Sequence, residues 1–148
     1  MKELRKHWWL VAGLALFMGC ASGPKYSQVS NMIPPVGPEQ GRIFFYRASA
    51  LGAAVQPSVM LNGETIGTAQ PDGFFYVDRP PGNYQVSTTT EVKRTLSLLL
   101  EKEQVRYVRL NISMGFFVGH VYPELVEPGV GEKQIQGCSY IGRRLPKP

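Results

Sequence analysis

The chain has 148 residues and a formal charge of +5, from 16 Lys and Arg against 11 Asp and Glu. That length holds one domain with appendages, and the scattered basic residues exclude the basic stripe of a nucleic-acid binder. With 16 glycines, 12 prolines and 43% hydrophobic residues, the composition favours many short strands and turns over helices.

Residues 1–19 have a three-part build. Lys2, Arg5 and Lys6 stand against Glu3, and residues 8–18 form an apolar run of 11. A membrane-spanning helix needs about 20 residues, so this run suits a secretory signal segment instead. It leads into Leu16-Phe17-Met18-Gly19-Cys20. These residues resemble a bacterial lipobox, in which a small residue precedes a cysteine that is lipid-modified and becomes the new N-terminus. Phe17 stands where Leu is usual. The resemblance implies a signal peptide over residues 1–19, lipidation at Cys20, and a membrane anchor in the cell envelope. A thiol suits that role because its thiolate is the nucleophile that takes up a lipid group. The alternative is a plain signal peptide cut at another small residue, such as Ala21. Ala21 also occupies the position where Asp favours retention in the inner membrane. Its identity resembles the outer-membrane class, so the expected location is the inner leaflet of the outer membrane, facing the periplasm.

Residues 20–40 hold Pro24, Pro34, Pro35 and Pro38 with Gly23 and Gly37, which argues against a helix or a central strand. One reading is a lipidated tether that reaches at most about 70 Å when extended. The other is an arm over residues 26–33, packed on the domain through Val29, Met32 and Ile33. Both stay open at this point.

The expected domain covers residues 41–126. Residues 41–47 read as a strand that is apolar on both faces and therefore central. Residues 48–54 read as a loop, and residues 55–61 as a strand with Pro57 near its start. Asn62-Gly63 is a hairpin signal, since a type I′ turn needs two residues at positive φ. Residues 64–69 return as a strand, and Pro71-Asp72-Gly73 turns again. Residues 74–78 and 84–88 then read as two strands of one hairpin, joined by a Pro-Pro-Gly turn with Gly82 at positive φ. Leu96, Leu98 and Leu100 alternate with Ser97 and Leu99. Residues 101–104 form a charged turn. Val108, Leu110 and Ile112 point inward, opposite Tyr107, Arg109 and Asn111. A last strand covers residues 116–126, with Pro123 marking a break or a sheet edge. Residues 127–148 are expected as a partly disordered C-terminal extension: a loop, one helical turn or a short strand over 132–142, and a basic tail. Seven or eight strands at this spacing predict an all-β antiparallel sandwich.

The run Val59, Leu61-Asn62-Gly63, Gly67 and Pro80-Pro81-Gly82 with Tyr84 and Val86 resembles PEGA-type surface domains. The wider pattern adds residues 41–47 and 73–78. It resembles a family of small bacterial lipoproteins carrying the domain of unknown function numbered 2846, over about residues 40–126. The resemblance implies a transthyretin-like or carboxypeptidase-regulatory-like sandwich and no catalytic residues.

The chain after residue 20 has one histidine, His120, and one further cysteine, Cys138. Together they would make a Cys–His pair, but no acid near His120 in sequence orients it. One His and one Cys do not close a zinc site, and neither metal nor cofactor is expected. Cys138 reads as a buried thiol, as a partner for Cys20, or as one half of an intermolecular disulfide. Asp78-Arg79 reads as a small ion pair. The expected function is a non-enzymatic binding or structural module on a membrane anchor. Its partner would be an envelope protein or a cell-wall polymer, met through sheet edges, loops or the tyrosines Tyr46, Tyr76 and Tyr107. The alternative is a small periplasmic enzyme or inhibitor-like factor using the His120/Cys138 region. No oligomeric state follows from the sequence.

Overall fold

The computed structural model describes residues 19–90, 94–115 and 119–143. The expected signal peptide lies almost wholly outside them, as do residues 116–118 of the last expected strand and most of the basic tail. The strands are β1 (Gly41–Arg47), β2 (Ser58–Leu61), β3 (Glu64–Thr68), β4 (Gly73–Arg79), β5 (Gly82–Thr88), β6 (Leu96–Leu100), β7 (Val105–Met114), β8 (Gly119–Val126) and β9 (Ser139–Tyr140). Two helices join them, α1 (Tyr26–Val29) and α2 (Pro128–Ile135), with a 3-10 turn at Ser30–Met32.

β1 is buried along its whole length because it is covered on both faces. It sits in the middle of a five-stranded sheet of order β8-β7-β1-β4-β9, which faces a four-stranded sheet of order β3-β2-β5-β6. Ile43 and Phe45 point between the sheets and meet Val59, Leu61, Phe75, Val86, Leu100, Val108 and Val121. Phe44 and Tyr46 point the other way, into a second cluster with Val29, Phe74, Tyr107, Ile135 and Cys138. Each large apolar side chain so buried contributes about 1.5–3 kcal/mol. The all-β sandwich is therefore as expected, with one refinement. Most pairings are antiparallel, but β1 runs parallel to β7 and β4 parallel to β9.

The Asn62-Gly63 turn has the expected form, with φ of 49° and 83° and Leu61 opposite Glu64. The expected hairpin of residues 74–78 and 84–88 does not form. β4 pairs with β1 and β9, β5 pairs with β2 and β6, and the chain crosses from one sheet to the other between them. The reason lies in their partners: β4 is paired by β1 and β9 and β5 by β2 and β6, so neither has an edge left for the other. Gly82 accordingly begins β5 and is absent from the residues at positive φ. The Tyr84 hydroxyl donates to the Pro80 carbonyl at 2.7 Å and fastens the crossing.

The segments flanking residues 41–126 are also built into the fold. α2 lies on β7, with Gly131 so close to the Tyr107 ring that a Cβ there would run into it. That contact explains a glycine inside a helix, where it otherwise costs roughly 1 kcal/mol. β9 then adds an edge strand beside β4. The C-terminal extension thus contains both elements between which the sequence left a choice. Pro123 lies on the edge strand β8, where a missing N–H is tolerated.

Candidate functional site

Cys20 is exposed, and its neighbours are fastened to the body. The Gln56 side chain donates to the Gly19 carbonyl at 3.0 Å. The Ala21 N–H donates to the Pro71 carbonyl at 3.0 Å. Beyond them, Tyr140 N–H donates to Pro24 O and Tyr26 N–H to Cys138 O, both at 2.9 Å. Lys25 forms a bridge with Ser139. The Tyr26 ring then packs edge-on against Phe44 and Phe74, with centroids 5.8 and 5.3 Å away, and Val29 is buried. Of the two readings of residues 26–33, the packed arm is the one found. Its apolar residues cover the outer face of β1 and β4, and its backbone groups pair with the segment around β9. Proline content alone did not reveal this, since the hydrogen bonds come from the far end of the chain.

The loop after β1 is built around a buried arginine. Arg47 Nη1 donates to Val55 O and Ala69 O at 2.6 and 2.9 Å. Its Nη2 donates to Leu51 O and Gly52 O at 2.6 and 3.0 Å. Nε is buried with no partner among the described residues. Burial weakens the hold on the proton, against the pull of Asp72 and Cys20. The guanidinium thus shapes residues 48–55 by satisfying their carbonyls, a role invisible from its place at the end of an apolar strand.

A second polar cluster lies on the outer face of the five-stranded sheet. Arg109 on β7 faces Glu124 on β8 in register. Its Nε and Nη2 donate to Glu124 Oε2 at 3.3 and 2.7 Å, and Asn111 donates to the same oxygen. Gln134 Oε1 on α2 accepts from Tyr46 at 2.6 Å and from Arg109 at 3.2 Å. The Arg109 hydrogen bond holds the Glu124 carboxyl below the usual range. Burial pushes the Tyr46 phenol up to about 12. A cleft of about 440 Å³ opens beside the cluster, lined by Ser49, Leu51, Arg109, Asn111 and Gln134 among others. The arrangement offers hydrogen bonds to a polar partner, with the charge of Arg109 already matched. Sequence reading placed Arg109 and Asn111 outward but missed their acid. The register that starts from Met114 opposite Gly119 sets Glu124 opposite Arg109.

His120 and Cys138 are not brought together. His120 lies on β8 and Cys138 just before β9, at opposite edges of the sheet. Four strand spacings separate these edges, roughly 19 Å. Cys138 is a free, buried thiol pushed up to about 12 by burial, so almost none of it is the reactive thiolate. The buried Nδ1 of His120 has no partner among the described residues. Tyr46 and Tyr107 are buried in the second cluster and Tyr76 is packed against it, so they are not exposed contacts. Asp78 pairs with Arg42, while Arg79 reaches Glu64 at 3.4 Å. The expected Asp78–Arg79 pair is thereby corrected, because adjacent residues of a strand point to opposite faces. Among the described residues, no three His, Cys, Asp or Glu side chains are grouped as a metal site, and no helix is long and apolar enough to cross a membrane.

The chain is 30% identical over 131 residues to an uncharacterized protein of Haemophilus influenzae, covering 84% of this chain and 78% of that protein. A solved structure of the N-terminal domain of AlgF from P. aeruginosa aligns at 14% identity with a TM-score of 0.41, over 60% of this chain and 98% of that one. The family described as Protein of unknown function (DUF2846) matches residues 38–121. On that match, with the uncharacterized relative beside it, the chain belongs to the DUF2846 family.

Proposed function

We propose that this protein is a lipid-anchored protein of the bacterial cell envelope whose sandwich acts by contact and not by catalysis. The observation that carries the reading is the setting of Cys20. It is exposed, and it directly follows a positive segment, a short apolar run and Gly19. Acylation of its thiol would place the sandwich at a membrane surface, in this reading the inner leaflet of the outer membrane. Each buried CH₂ of an acyl chain adds about 0.8 kcal/mol, so two or more chains anchor firmly. The contact surface favoured in this reading is the cleft of about 440 Å³ lined by the polar side chains of Arg109, Asn111 and Gln134. A polar envelope protein or cell-wall polymer fits its chemistry. The enzymatic alternative gains no support from His120 and Cys138, which stand at opposite sheet edges.

Fractionation of cells expressing the wild type and Cys20→Ala tests the anchor. The wild type is expected in the membrane fraction and the variant outside it. Crosslinking in intact cells, with Asn111→Arg placed in the cleft, tests the contact. Loss of a recurring crosslinked partner in that variant supports the cleft, and an unchanged pattern counts against it.

A further inference from the structure

The strand ladders place three features at one end of the sandwich. Arg47 at the end of β1 is opposite Gly73 at the start of β4. β7 runs parallel to β1, with Arg109 beside Tyr46. It continues five residues past Arg109 to Met114, which pairs with Gly119. At roughly 3.3 Å per residue, that continuation projects about 16 Å beyond the level of Tyr46. The loop over residues 48–57 leans on this projection, with Gly52 directly against Ile112 and Val55 beside Gly119. Ala21, the residue after Cys20, donates its N–H to the carbonyl of Pro71, two residues before Gly73, and a chain beginning at Cys20 keeps that bond. Cys20 is therefore fixed at the same end as the loop and the projecting β7–β8 pair.

That end also carries unburied apolar surface. Leu51 is 57% exposed and Met114 is 62% exposed. Another large exposed apolar side chain, Leu99, lies towards the opposite end, where Leu100 pairs with Gly82 and touches Gly41. A free tether would leave orientation undecided. Here the chain is strapped to the body from Ala21 to Val29, so an anchor on Cys20 has little slack.

We propose that the end bearing Cys20, Leu51 and Met114 rests on the phospholipid bilayer, with these two side chains entering the headgroup region. The occupant is argued from continuity: the exposed Cys20 that takes the anchor and the exposed side chains of Leu51 and Met114 share one end. Exposed apolar side chains such as these suit the boundary between headgroups and acyl chains. The cleft beside Arg109, Asn111 and Gln134 is then held close to the membrane, since Leu51 lines it as well. This orientation rests on the lipid-anchor reading above.

The two tryptophans, Trp8 and Trp9, both precede Cys20. A mature chain beginning at Cys20 thus has none, and single-tryptophan reporters are available. Leu51→Trp, Met114→Trp and Leu99→Trp would be purified as the acylated full-length mature protein. Each would be reconstituted into vesicles of phosphatidylethanolamine and phosphatidylglycerol, with and without brominated acyl chains. All three sites are exposed, and matching melting midpoints check that the fold is kept. Quenching several-fold stronger at positions 51 and 114 than at 99 is the expected result. Equal quenching at all three, or none at 51 and 114, overturns the orientation and would leave that end free for a protein partner. Intact mass of the same samples separates the two failures: acylated protein without quenching sinks only the orientation, whereas protein lacking acyl chains sinks the anchor and the orientation with it.

Discussion

Arg42 and Asp78 face each other across β1 and β4 and form a two-pronged ion pair, with Nε to Oδ1 at 2.6 Å and Nη2 to Oδ2 at 2.7 Å. The guanidinium is only 4% exposed. It also donates to the Pro34 carbonyl at 2.6 Å and stacks over the Tyr76 ring at 4.3 Å. One side chain thus ties the N-terminal arm to the centre of the sandwich.

Removing the acid should therefore cost more than a surface pair would. Asp78→Ala leaves a buried guanidinium without its charge partner and is expected to destabilise the fold by about 2–4 kcal/mol, below the full cost for a wholly buried pair because Asp78 is partly exposed. Arg79→Ala, whose partner Glu64 is 71% exposed, should cost under about 1 kcal/mol. Urea unfolding of both variants measures the difference.

Two turn glycines should respond differently to the same substitution. Gly63 sits at φ 83° with open space around a would-be Cβ. Gly63→Val is expected to cost about 1–3 kcal/mol from backbone strain alone. At Gly82 the backbone is that of a strand, and the nearest side-chain atom to a Cβ is Tyr84 at 3.9 Å. Gly82→Val should therefore stay within about 0.5 kcal/mol. Thermal melts of the two variants are the check, and equal losses would mean that conformation does not decide the outcome.

These two glycines also mark what the sequence could reveal. Asn62-Gly63 demands a particular turn whatever surrounds it, so that hairpin was legible. The two-sided apolar pattern of β1 likewise announced a strand covered on both faces. Pro80-Pro81-Gly82 carried a turn signal but not its direction. Whether the chain folds back or crosses to a second sheet depends on which neighbours β4 and β5 find elsewhere. Arg47, Glu124 and the arm at Tyr26 were hidden for the same reason: their partners are fixed by tertiary register and not by local spacing. Gly129 and Gly131 weakened the helix signal of α2, and only the contact with Tyr107 explains the second of them.

The Arg109–Glu124 pair gives a pH dependence of definite sign. The folded carboxyl titrates below its unfolded range, chiefly through the hydrogen bond from Arg109. Its contribution is then fully present above the usual Glu value of about 4.3, and it is lost as pH falls through the lower folded value. Glu124 is 45% exposed, so solvent screening keeps the effect under about 1 kcal/mol. Glu124→Gln should therefore lower stability by under about 1 kcal/mol from pH 5 up to pH 9, and its gap to the wild type should close towards pH 3. Melting midpoints from pH 3 to 9 test this.

The thiol of Cys138 should be chemically silent in the folded state. With its titration pushed up to about 12 by burial, a Cys20→Ala chain should not react with a maleimide at pH 7.5 in buffer. It should react fully in guanidinium. Rapid labelling of the native protein would mean that the second cluster opens readily around Ile135 and Phe74.

The proposed function depends on a membrane anchor at Cys20. Intact-mass analysis of the mature protein extracted from cell membranes decides whether that anchor exists. The expected result is a chain that begins at Cys20 and carries added acyl mass on that residue. A mature chain beginning elsewhere, for example at Ala21, or a Cys20 with an unmodified thiol and free amine, would contradict it.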